Sequence, residues 1–382
     1  MKRYRCYVCD WKGEFTTFRK YCPKCKSALY IENTELIIKE EGTNIIEKYC
    51  KLLPIMNEKT VPVMRGGNTP LVRAYKTEER YGFKKLLLKD ETKNPTRSTK
   101  DRISTVSLAM LSQFGIKEIG IASTGNSSTA YAKVMNDFPD MRLHVFCAKD
   151  FIHRHNFETR DNVIAYTSNL NYSDMCKKAK EYCEMNKITW EGGFYNVARR
   201  EGLKTAYLEI FDECVICPDY IVQAISSGMG LLAAYQGIQE YYKMGKISKI
   251  PKIIAVQQES CCPMVKAWNQ KEYTADCDIK NPKGLAEAIL RGSSSDVYPY
   301  IRDIVKETQG HFVAVSDGEI IDAKEELQSD YAIIGCYASG AALAGAIKLR
   351  KQGFIKENET VAVNITGGIR DESIIPKILK DI

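Results

Sequence analysis

The chain has 382 residues, of which 44% are hydrophobic and 27% charged, and its formal net charge is +7. Two core-bearing units are expected, because this length exceeds the size at which one hydrophobic core stops growing. The composition excludes a membrane-spanning protein, since charged residues interrupt every long apolar run and no signal-like apolar segment follows the basic start, so we expect a soluble cytoplasmic protein. Scattered positive charge favours small anionic ligands no less than nucleic acid.

Four of the 14 cysteines form two pairs near the N-terminus, Cys6 with Cys9 in "CYVC" and Cys22 with Cys25 in "CPKC". This spacing can present four thiolates tetrahedrally to one Zn2+ ion. We therefore predict a structural zinc ribbon over residues 1–35, in which the metal supplies folding energy that so short a segment lacks. Nearby aromatic and basic side chains leave a nucleic-acid role open as an alternative.

Beyond a connector predicted to be helical up to about Leu53, apolar runs alternate with helix-period stretches. The predicted strands are Lys85–Lys89, Glu118–Ala122, Leu143–Ala148, Tyr220–Ile225, Ile253–Gln257 and Thr360–Ile365. The predicted helices are Asp101–Phe114, Leu231–Lys243 and Ala341–Gln352. This alternation predicts two doubly wound α/β domains with parallel sheets covered by helices.

Four polar or glycine-rich loops follow predicted strands, where functional groups of open α/β sheets collect. The first, "KDETKNPTRSTKDR", places Lys100 at a helix start, where the dipole and any burial lower its pKa; a solvated surface charge is the alternative. In "IASTGNSSTAYA", the hydroxyls of Ser123, Thr124 and Ser127 join free N–H groups in a cradle for a carboxylate, or simply form a capped turn.

The third loop, "SSGMGLL", has glycines that let the backbone approach a phosphate. It matches neither G-x-G-x-x-G nor a Walker lysine motif, so dinucleotide and triphosphate binding are not indicated. In the fourth, "VAVNITGGIRD", a buried strand leads to Thr366 in a Gly-Gly turn. Thr366 either aims a neutral hydroxyl at a ligand or belongs to a bare tight turn.

The order of these motifs resembles threonine synthase and its relatives, including the cysteate synthase branch, among the fold-type-II pyridoxal-phosphate enzymes. The resemblance covers nearly the whole chain. The matching segments are the cysteine ribbon, "GGNTPL" at Gly66–Leu71, "KDETKNPTRSTKDR", "STGN", "NVARREGLKT" at Asn196–Thr205, the glycine-rich loop, "VSDGEI" at Val315–Ile320 and the closing T-G turn.

The resemblance implies a tryptophan synthase β-like fold with pyridoxal 5'-phosphate as cofactor, and suggests a homodimer. The large cofactor-binding domain would comprise residues 36–95 and 200–382, and the smaller domain residues 96–199. Lys100 would bond covalently to the cofactor and act as the general base. The other implied cofactor contacts are Asn126 at the ring hydroxyl, Thr366 at the pyridine nitrogen, and the backbone of Ser227, Gly228, Met229 and Gly230 at the phosphate. The implied substrate contacts are Ser123, Thr124 and Ser127 for the carboxylate and Arg199 for a phosphate.

The sequence departs from the family pattern at four places. Arg97 replaces a glycine, Thr99 replaces a phenylalanine, "CYAS" at Cys336–Ser339 replaces E-P-A-S, and "TGGIRD" is shorter than T-G-H-G-x-K-D. Arg97 and Thr99 both lie within one turn of Lys100, so both are candidate substrate contacts. The Arg97 side chain either binds a second anion, such as sulfite or an acidic amino acid, or points to solvent.

Formation of threonine from O-phosphohomoserine is therefore the leading prediction for an anionic amino-acid substrate. The alternative is β-replacement on O-phosphoserine, as in the cysteate synthase branch. A non-catalytic zinc-ribbon binding protein is a third hypothesis, against which the joint presence of Lys100, Asn126 and Thr366 argues.

Overall fold

The structure is a computed structural model that describes residues 2–62, 65–276, 279, 282–370, 374–377 and 380–381. The chain divides into two compact units. Unit 1 comprises Met1–Gly67, Lys100–Gly202 and Arg370–Ile382, and unit 2 comprises Asn68–Thr99 and Leu203–Ile369. The finer division predicted from the sequence, with the ribbon as a domain of its own, stays a prediction.

The helices and strands alternate along most of the chain, as the sequence indicated. The strands are β1 Lys2–Cys6, β2 Lys12–Glu14, β3 Leu29–Asn33, β4 Leu71–Arg73, β5 Lys85–Asp90, β6 Glu118–Ala122, β7 Arg142–Ala148, β8 Val163–Ser168, β9 Thr189–Trp190, β10 Tyr220–Ala224, β11 Lys252–Gln258, β12 His311–Val315, β13 Thr360–Ile365 and β14 Lys380–Asp381. The helices are α1 Ile45–Tyr49, α2 Tyr75–Tyr81, α3 Lys100–Gln113, α4 Asn126–Val134, α5 Tyr172–Met185, α6 Val197–Glu213, α7 Met229–Lys243, α8 Pro263–Asn269, α9 Tyr298–Glu307, α10 Asp317–Tyr331 and α11 Tyr337–Lys351.

Unit 1 contains two sheets. The antiparallel ribbon sheet has the order β2-β1-β3, with Tyr4 opposite Ile31 in its register. A five-stranded sheet has the order β14-β8-β7-β6-β9 and all its pairs are parallel. Part of its core consists of Phe146 on β7 and Met175 and Cys183 on α5, all buried. Helix α5 therefore covers one face of this sheet through apolar contacts.

Unit 2 contains a six-stranded sheet in the order β12-β11-β10-β13-β5-β4. Its pairs are parallel except for the edge strand β4, which runs antiparallel to β5. Helix α11 packs on the sheet through small residues; a Cβ added at Gly345 would lie 2.4 Å from Val256 Cγ2. The absence of a side chain at this position lets helix and sheet backbones approach closely.

The predicted fold class is confirmed, since each unit has a parallel or mostly parallel sheet with a helix packed on it. The predicted strands and helices form at their expected places, with boundary differences of a few residues. The predicted extent of the helical connector is wrong. Residues 36–53 are all described, and the α-helix that they form has five residues, Ile45–Tyr49. Asn44 caps its N-terminus. Such polar segments lack the continuous apolar face that stabilises a longer helix.

Among the described residues, none of the helices combines the length and the apolar character that crossing a membrane requires.

Candidate active site

Lys100 begins helix α3 in unit 1, as the sequence predicted. Burial, together with the positive charge of Arg199, lowers the pKa of its amine to about 8. Helices α3 and α6 can approach closely because Gly202 has no side chain. A Cβ at this position would lie 2.3 Å from the Arg102 carbonyl oxygen, which is too close. An amine with this pKa is partly neutral near pH 8, so Lys100 can act as nucleophile or base.

Arg199, on helix α6, is bound to Glu191, which directly follows β9. The Arg199 Nε donates to Glu191 Oε1 at 2.7 Å, and the two side chains are 9% and 2% exposed. The same oxygen accepts hydrogen bonds from the Tyr131 hydroxyl at 2.6 Å and from Asn196 Nδ2 at 2.7 Å. The guanidinium also lies 5.4 Å from the centroid of the Tyr131 ring. Arg199 is therefore a buried cation in a defined orientation.

The predicted carboxylate loop lies between β6 and α4. Ser123 is buried, and its Oγ accepts hydrogen bonds from the N–H groups of Gly125 at 3.0 Å and Ser128 at 3.2 Å. Gly125 has φ 127, and a Cβ at this position would lie 2.5 Å from the backbone carbonyl oxygen of Arg154. Thr124 and Ser127 are partly exposed. The Ser123 hydroxyl thus shapes the loop, while Thr124 and Ser127 are accessible to a ligand.

Two residues that the sequence analysis did not assign support this loop. His155 is buried, and its Nδ1 lies 2.7 Å from Ser128 Oγ. Burial lowers the pKa of His155 to about 3, so the ring is neutral. Arg370 Nη2 donates to Asn126 Oδ1 at 2.9 Å. This bond directs the Asn126 Nδ2 donor away from Arg370, in an orientation that an oxygen acceptor could use.

The glycine-rich loop of unit 2 joins β10 to α7. Gly228 has φ 74, and a Cβ there would lie 2.4 Å from Ile301 Cγ1. A Cβ at Gly230 would lie 2.2 Å from Gln223 Nε2. Ser227 Oγ accepts from the Met229 N–H at 3.4 Å. Gly228 is thus required by its backbone conformation and packing, whereas a side chain at Gly230 would displace the end of Gln223. The loop presents the N-terminus of α7, whose first N–H groups lack partners within the helix.

Thr366 follows β13 and contacts the loop that precedes Lys100. The Thr99 N–H donates to the Thr366 carbonyl oxygen at 2.9 Å, and the Gly368 N–H donates to the Arg97 carbonyl oxygen at 2.8 Å. Strand β13 lies between β10 and β5 in the parallel part of the sheet. Because parallel strands place their carboxyl ends at one edge, the glycine-rich loop, Thr366 and the Arg97–Thr99 segment share that edge of unit 2.

The "CYAS" segment meets the same turn. The Cys336 N–H and the Ser339 Oγ–H both donate to the Gly367 carbonyl oxygen, at 3.0 Å and 2.6 Å. The departures from the family pattern at Arg97, Thr99 and "CYAS" are therefore gathered at one turn of unit 2. The sequence alone did not show that these departures lie together.

The four ribbon cysteines converge, as predicted. Their Sγ atoms all lie within 4.8 Å of one another. The distance is 3.4 Å between Cys6 and Cys25 and 3.6 Å between Cys9 and Cys22. Four thiolates around a tetrahedral zinc would be about 3.8 Å apart, given Zn–S bonds of about 2.3 Å. The arrangement fits a four-coordinate metal ion.

Four residues of this site were not predicted from the sequence: Glu191, Tyr131, His155 and Arg370. Glu191 follows a two-residue strand, too short to be recognised from an apolar pattern, and Tyr131 is one of several apolar positions on α4. Strands β6 and β9 are parallel neighbours, so the carboxylate loop and Glu191 share one edge of the unit 1 sheet. The signal in the sequence that could have identified Glu191 is the position of its carboxylate directly after a strand.

Known proteins are similar to this chain over most of its length. Residues 64–367 match the family described as "Pyridoxal-phosphate dependent enzyme". The threonine synthase of Methanosarcina acetivorans is 31% identical over 355 residues, which cover 91% of this chain and 86% of that protein. The threonine synthase of Methanocaldococcus jannaschii is 29% identical, with 85% and 80% covered. A cysteate synthase of Methanosarcina acetivorans is 28% identical, with 72% and 68% covered.

Solved structures show the same fold at lower identity. Threonine deaminase isoform 2 of Solanum lycopersicum has a TM-score of 0.65 and 16% identity, with 79% of this chain and 84% of that chain covered. Maize serine racemase has a TM-score of 0.66 and 16% identity, with 80% and 89% covered.

Proposed function

The chain belongs to the pyridoxal-phosphate-dependent enzyme family, and we propose that it catalyses elimination and replacement on an O-phospho amino acid. O-phosphohomoserine, converted to threonine and phosphate, is the leading substrate. The observation that carries this proposal is the buried Arg199 guanidinium, which Glu191 holds at 2.7 Å in the same unit as Lys100. A guanidinium suits a phosphate, and its charge next to the general base suits a phosphate leaving group.

Each unit, taken by itself, has residues that suit one part of pyridoxal phosphate. In unit 1, burial and Arg199 lower the pKa of the Lys100 amine to about 8, which increases the neutral fraction that can attack an aldehyde. In unit 2, Ser227, Gly228, Met229 and Gly230 form a turn at a helix N-terminus, which is suited to a phosphate group. Asn126 would bond the ring hydroxyl through Nδ2, and Thr366 would face the pyridine nitrogen with a neutral hydroxyl.

When bound, the cofactor would supply an electron sink for the carbanion that forms at the substrate Cα. Lys100 Nζ would take the Cα proton and later return one, since its pKa lies close to neutral pH. The loop at Ser123–Ser127 would bind and orient the substrate carboxylate. Arg199 would hold the substrate phosphate and stabilise the charge that develops as it leaves. The chain's residues thus divide between proton transfer and the orientation of two anionic groups.

The test measures phosphate release from each candidate substrate. Purified protein is incubated with O-phosphohomoserine or O-phosphoserine, with and without sulfite, and released phosphate and amino-acid products are quantified. Phosphate with threonine from O-phosphohomoserine supports the leading proposal. Turnover of neither substrate contradicts it. Lys100→Ala serves as the inactive control in every reaction.

The second candidate is β-replacement on O-phosphoserine with sulfite or another anionic nucleophile. The observation that favours it is Arg97, a cation held at φ 59 where the family pattern has glycine. Backbone strain at such a position suggests that the side chain has a use. Phosphate release from O-phosphoserine that depends on sulfite would select this candidate over threonine formation.

We also propose that Cys6, Cys9, Cys22 and Cys25 bind one structural Zn2+ ion. The support is the closeness of their four Sγ atoms, and a four-thiolate shell leaves no position for a substrate. The zinc would stabilise the ribbon and take no part in the reaction. The predicted homodimer stays a prediction.

A further inference from the structure

Glu191 is a buried carboxylate to which the sequence analysis gave no role. Its Oε1 accepts the hydrogen bonds from Arg199, Tyr131 and Asn196 described above, and also one from Ser107 Oγ at 3.3 Å. Its Oε2 accepts from the Gly193 N–H at 3.0 Å. Burial raises the pKa of Glu191, but Arg199 and the hydrogen-bond donors together lower it by more. The net shift of the pKa is therefore downward, and the carboxylate is ionised. Its orientation is fixed from several directions at once.

The bond to Glu191 uses one defined edge of Arg199. The guanidinium donates to Glu191 through Nε, and among the described residues its Nη1 and Nη2 groups donate no hydrogen bond to another side chain or to the backbone. A guanidinium can bind an oxyanion in two-point fashion through its terminal Nη1 and Nη2 groups. With Nε occupied, that terminal edge is the one left for a ligand.

Further contacts hold the elements around the Arg199–Glu191 pair. The Asn196 side chain, which donates to Glu191, also accepts from the Ala198 N–H at 3.0 Å at the start of helix α6, which carries Arg199. The Tyr131 ring lies against the guanidinium while its hydroxyl bonds Glu191. Contacts of this kind remove the rotational freedom of a long arginine side chain, which is costly to lose when a ligand binds.

We propose that Glu191 is a positioning residue that fixes the plane of the Arg199 guanidinium, so that its Nη1 and Nη2 edge binds the oxyanion group of the substrate. This inference rests on the proposed role of Arg199 in substrate binding. It adds that the strength of oxyanion binding depends on the reach of the Glu191 side chain. Compensation of the Arg199 charge alone would need no defined reach.

Two substitutions separate position from charge. Glu191→Asp keeps the negative charge but shortens the side chain by one methylene, so it cannot reach all its donors. Glu191→Gln removes the charge but keeps an oxygen that can accept from Arg199 Nε. The matched control is Glu118→Asp in the same unit, because Glu118 is half exposed and bonds His144 instead. Tyr131→Phe removes one bond to Glu191 and keeps the aromatic ring.

Binding of inorganic phosphate to the cofactor-loaded enzyme is measured by calorimetry, so that the cofactor already occupies its own phosphate loop. We expect Glu191→Asp to raise the Kd for phosphate about tenfold, a displacement effect, and Glu191→Gln to raise it less than about threefold. In steady-state kinetics, Glu191→Asp should raise KM for the phospho-amino acid more than it lowers kcat. Glu118→Asp should match the wild type in both measurements.

Wild-type phosphate affinity in Glu191→Asp would overturn the inference. So would tighter binding in Glu191→Gln with no loss of affinity in Glu191→Asp, which is the result expected of charge compensation alone. If Glu191→Asp does not fold, as judged by circular dichroism and retained cofactor, Tyr131→Phe decides: weaker phosphate binding supports the inference and unchanged binding overturns it.

Arg199→Met distinguishes this inference from the proposed function. If this variant binds phosphate as the wild type does, the role proposed for Arg199 is wrong and the inference falls with it. If Arg199→Met loses phosphate binding while Glu191→Asp does not weaken it, the proposed function stands and the role of Glu191 is wrong.

Discussion

Arg97 adopts a left-handed backbone conformation with φ 59, and its carbonyl oxygen accepts a hydrogen bond from the Gly368 N–H at 2.8 Å. The bond holds the strained residue against the turn that carries Thr366. The family pattern has glycine at this position, which adopts such a conformation without steric cost. The arginine is therefore retained at an energetic cost to the backbone.

Replacing Arg97 by glycine should relieve this strain. We expect Arg97→Gly to raise the free energy of unfolding in urea by about 1 kcal/mol. Lys187→Gly is the matched control, since Lys187 is exposed and has φ 57.

If Arg97 binds a second anion, Arg97→Gly alone should raise KM for the anionic nucleophile. Equal kinetics in both variants would show that the Arg97 side chain has no part in binding.

Lys100→Ala should remove the covalent link to the cofactor. The wild-type protein should be yellow, with absorbance at about 410 nm, and borohydride should fix the cofactor to the chain. In Lys100→Ala the band should be lost, and mass spectrometry after borohydride should detect the unmodified chain. A modified peptide that does not contain Lys100 in the wild type would contradict the assignment.

The pKa of Lys100 should depend on Arg199. Burial and the Arg199 charge lower this pKa to about 8, because a neighbouring cation disfavours the ammonium form. Arg199→Met removes that cation, so the pKa of Lys100 should rise above 8 and, with burial unchanged, stay below 10.5. The pH dependence of Lys100 labelling in cofactor-free protein, read by mass spectrometry, measures it. The exposed Arg142→Met should leave it unchanged, and an unshifted or lower pKa in Arg199→Met would contradict the expectation.

Gly228→Ala should damage the proposed phosphate loop. The new Cβ would lie 2.4 Å from Ile301 Cγ1 at φ 74. We expect a loss of about 2–4 kcal/mol in the free energy of unfolding and weaker binding of pyridoxal phosphate by the apoenzyme. Gly245→Ala is the control: it has φ 70, and its Cβ would meet none of the described atoms within 4 Å, so it should cost about 1 kcal/mol. Equal cofactor affinity in both variants would argue against the phosphate loop.

The ribbon should contain about one zinc ion per chain, which elemental analysis can measure. Cys22→Ser should lose the metal and lower the thermal midpoint, because a buried ligand of the four-sulfur cluster is removed. Cys217→Ser should keep the metal, since Cys217 lies outside the cluster. An unchanged zinc content in Cys22→Ser would contradict the proposed site.

Much of the fold was predictable because the signals were local. Runs such as Lys85–Lys89 and Thr360–Ile365 are rich in apolar residues over the length of one strand, and they form β5 and β13. The start of α3 at Lys100 follows from the proline-containing turn before it. The connector was predicted poorly, because a short polar segment takes its conformation from its surroundings.

The sequence by itself determined which residue types stand after each strand, the spacing of the four ribbon cysteines, and the family to which the chain belongs. These are properties of segments a few residues long or of their order. Only the tertiary structure decided that Glu191 accepts from Tyr131, 60 positions away, and that Arg97 bonds Gly368. The physical reason is that such contacts depend on which strands are neighbours in a sheet. That order is set by the packing of the whole unit, and the local pattern of the sequence does not encode it.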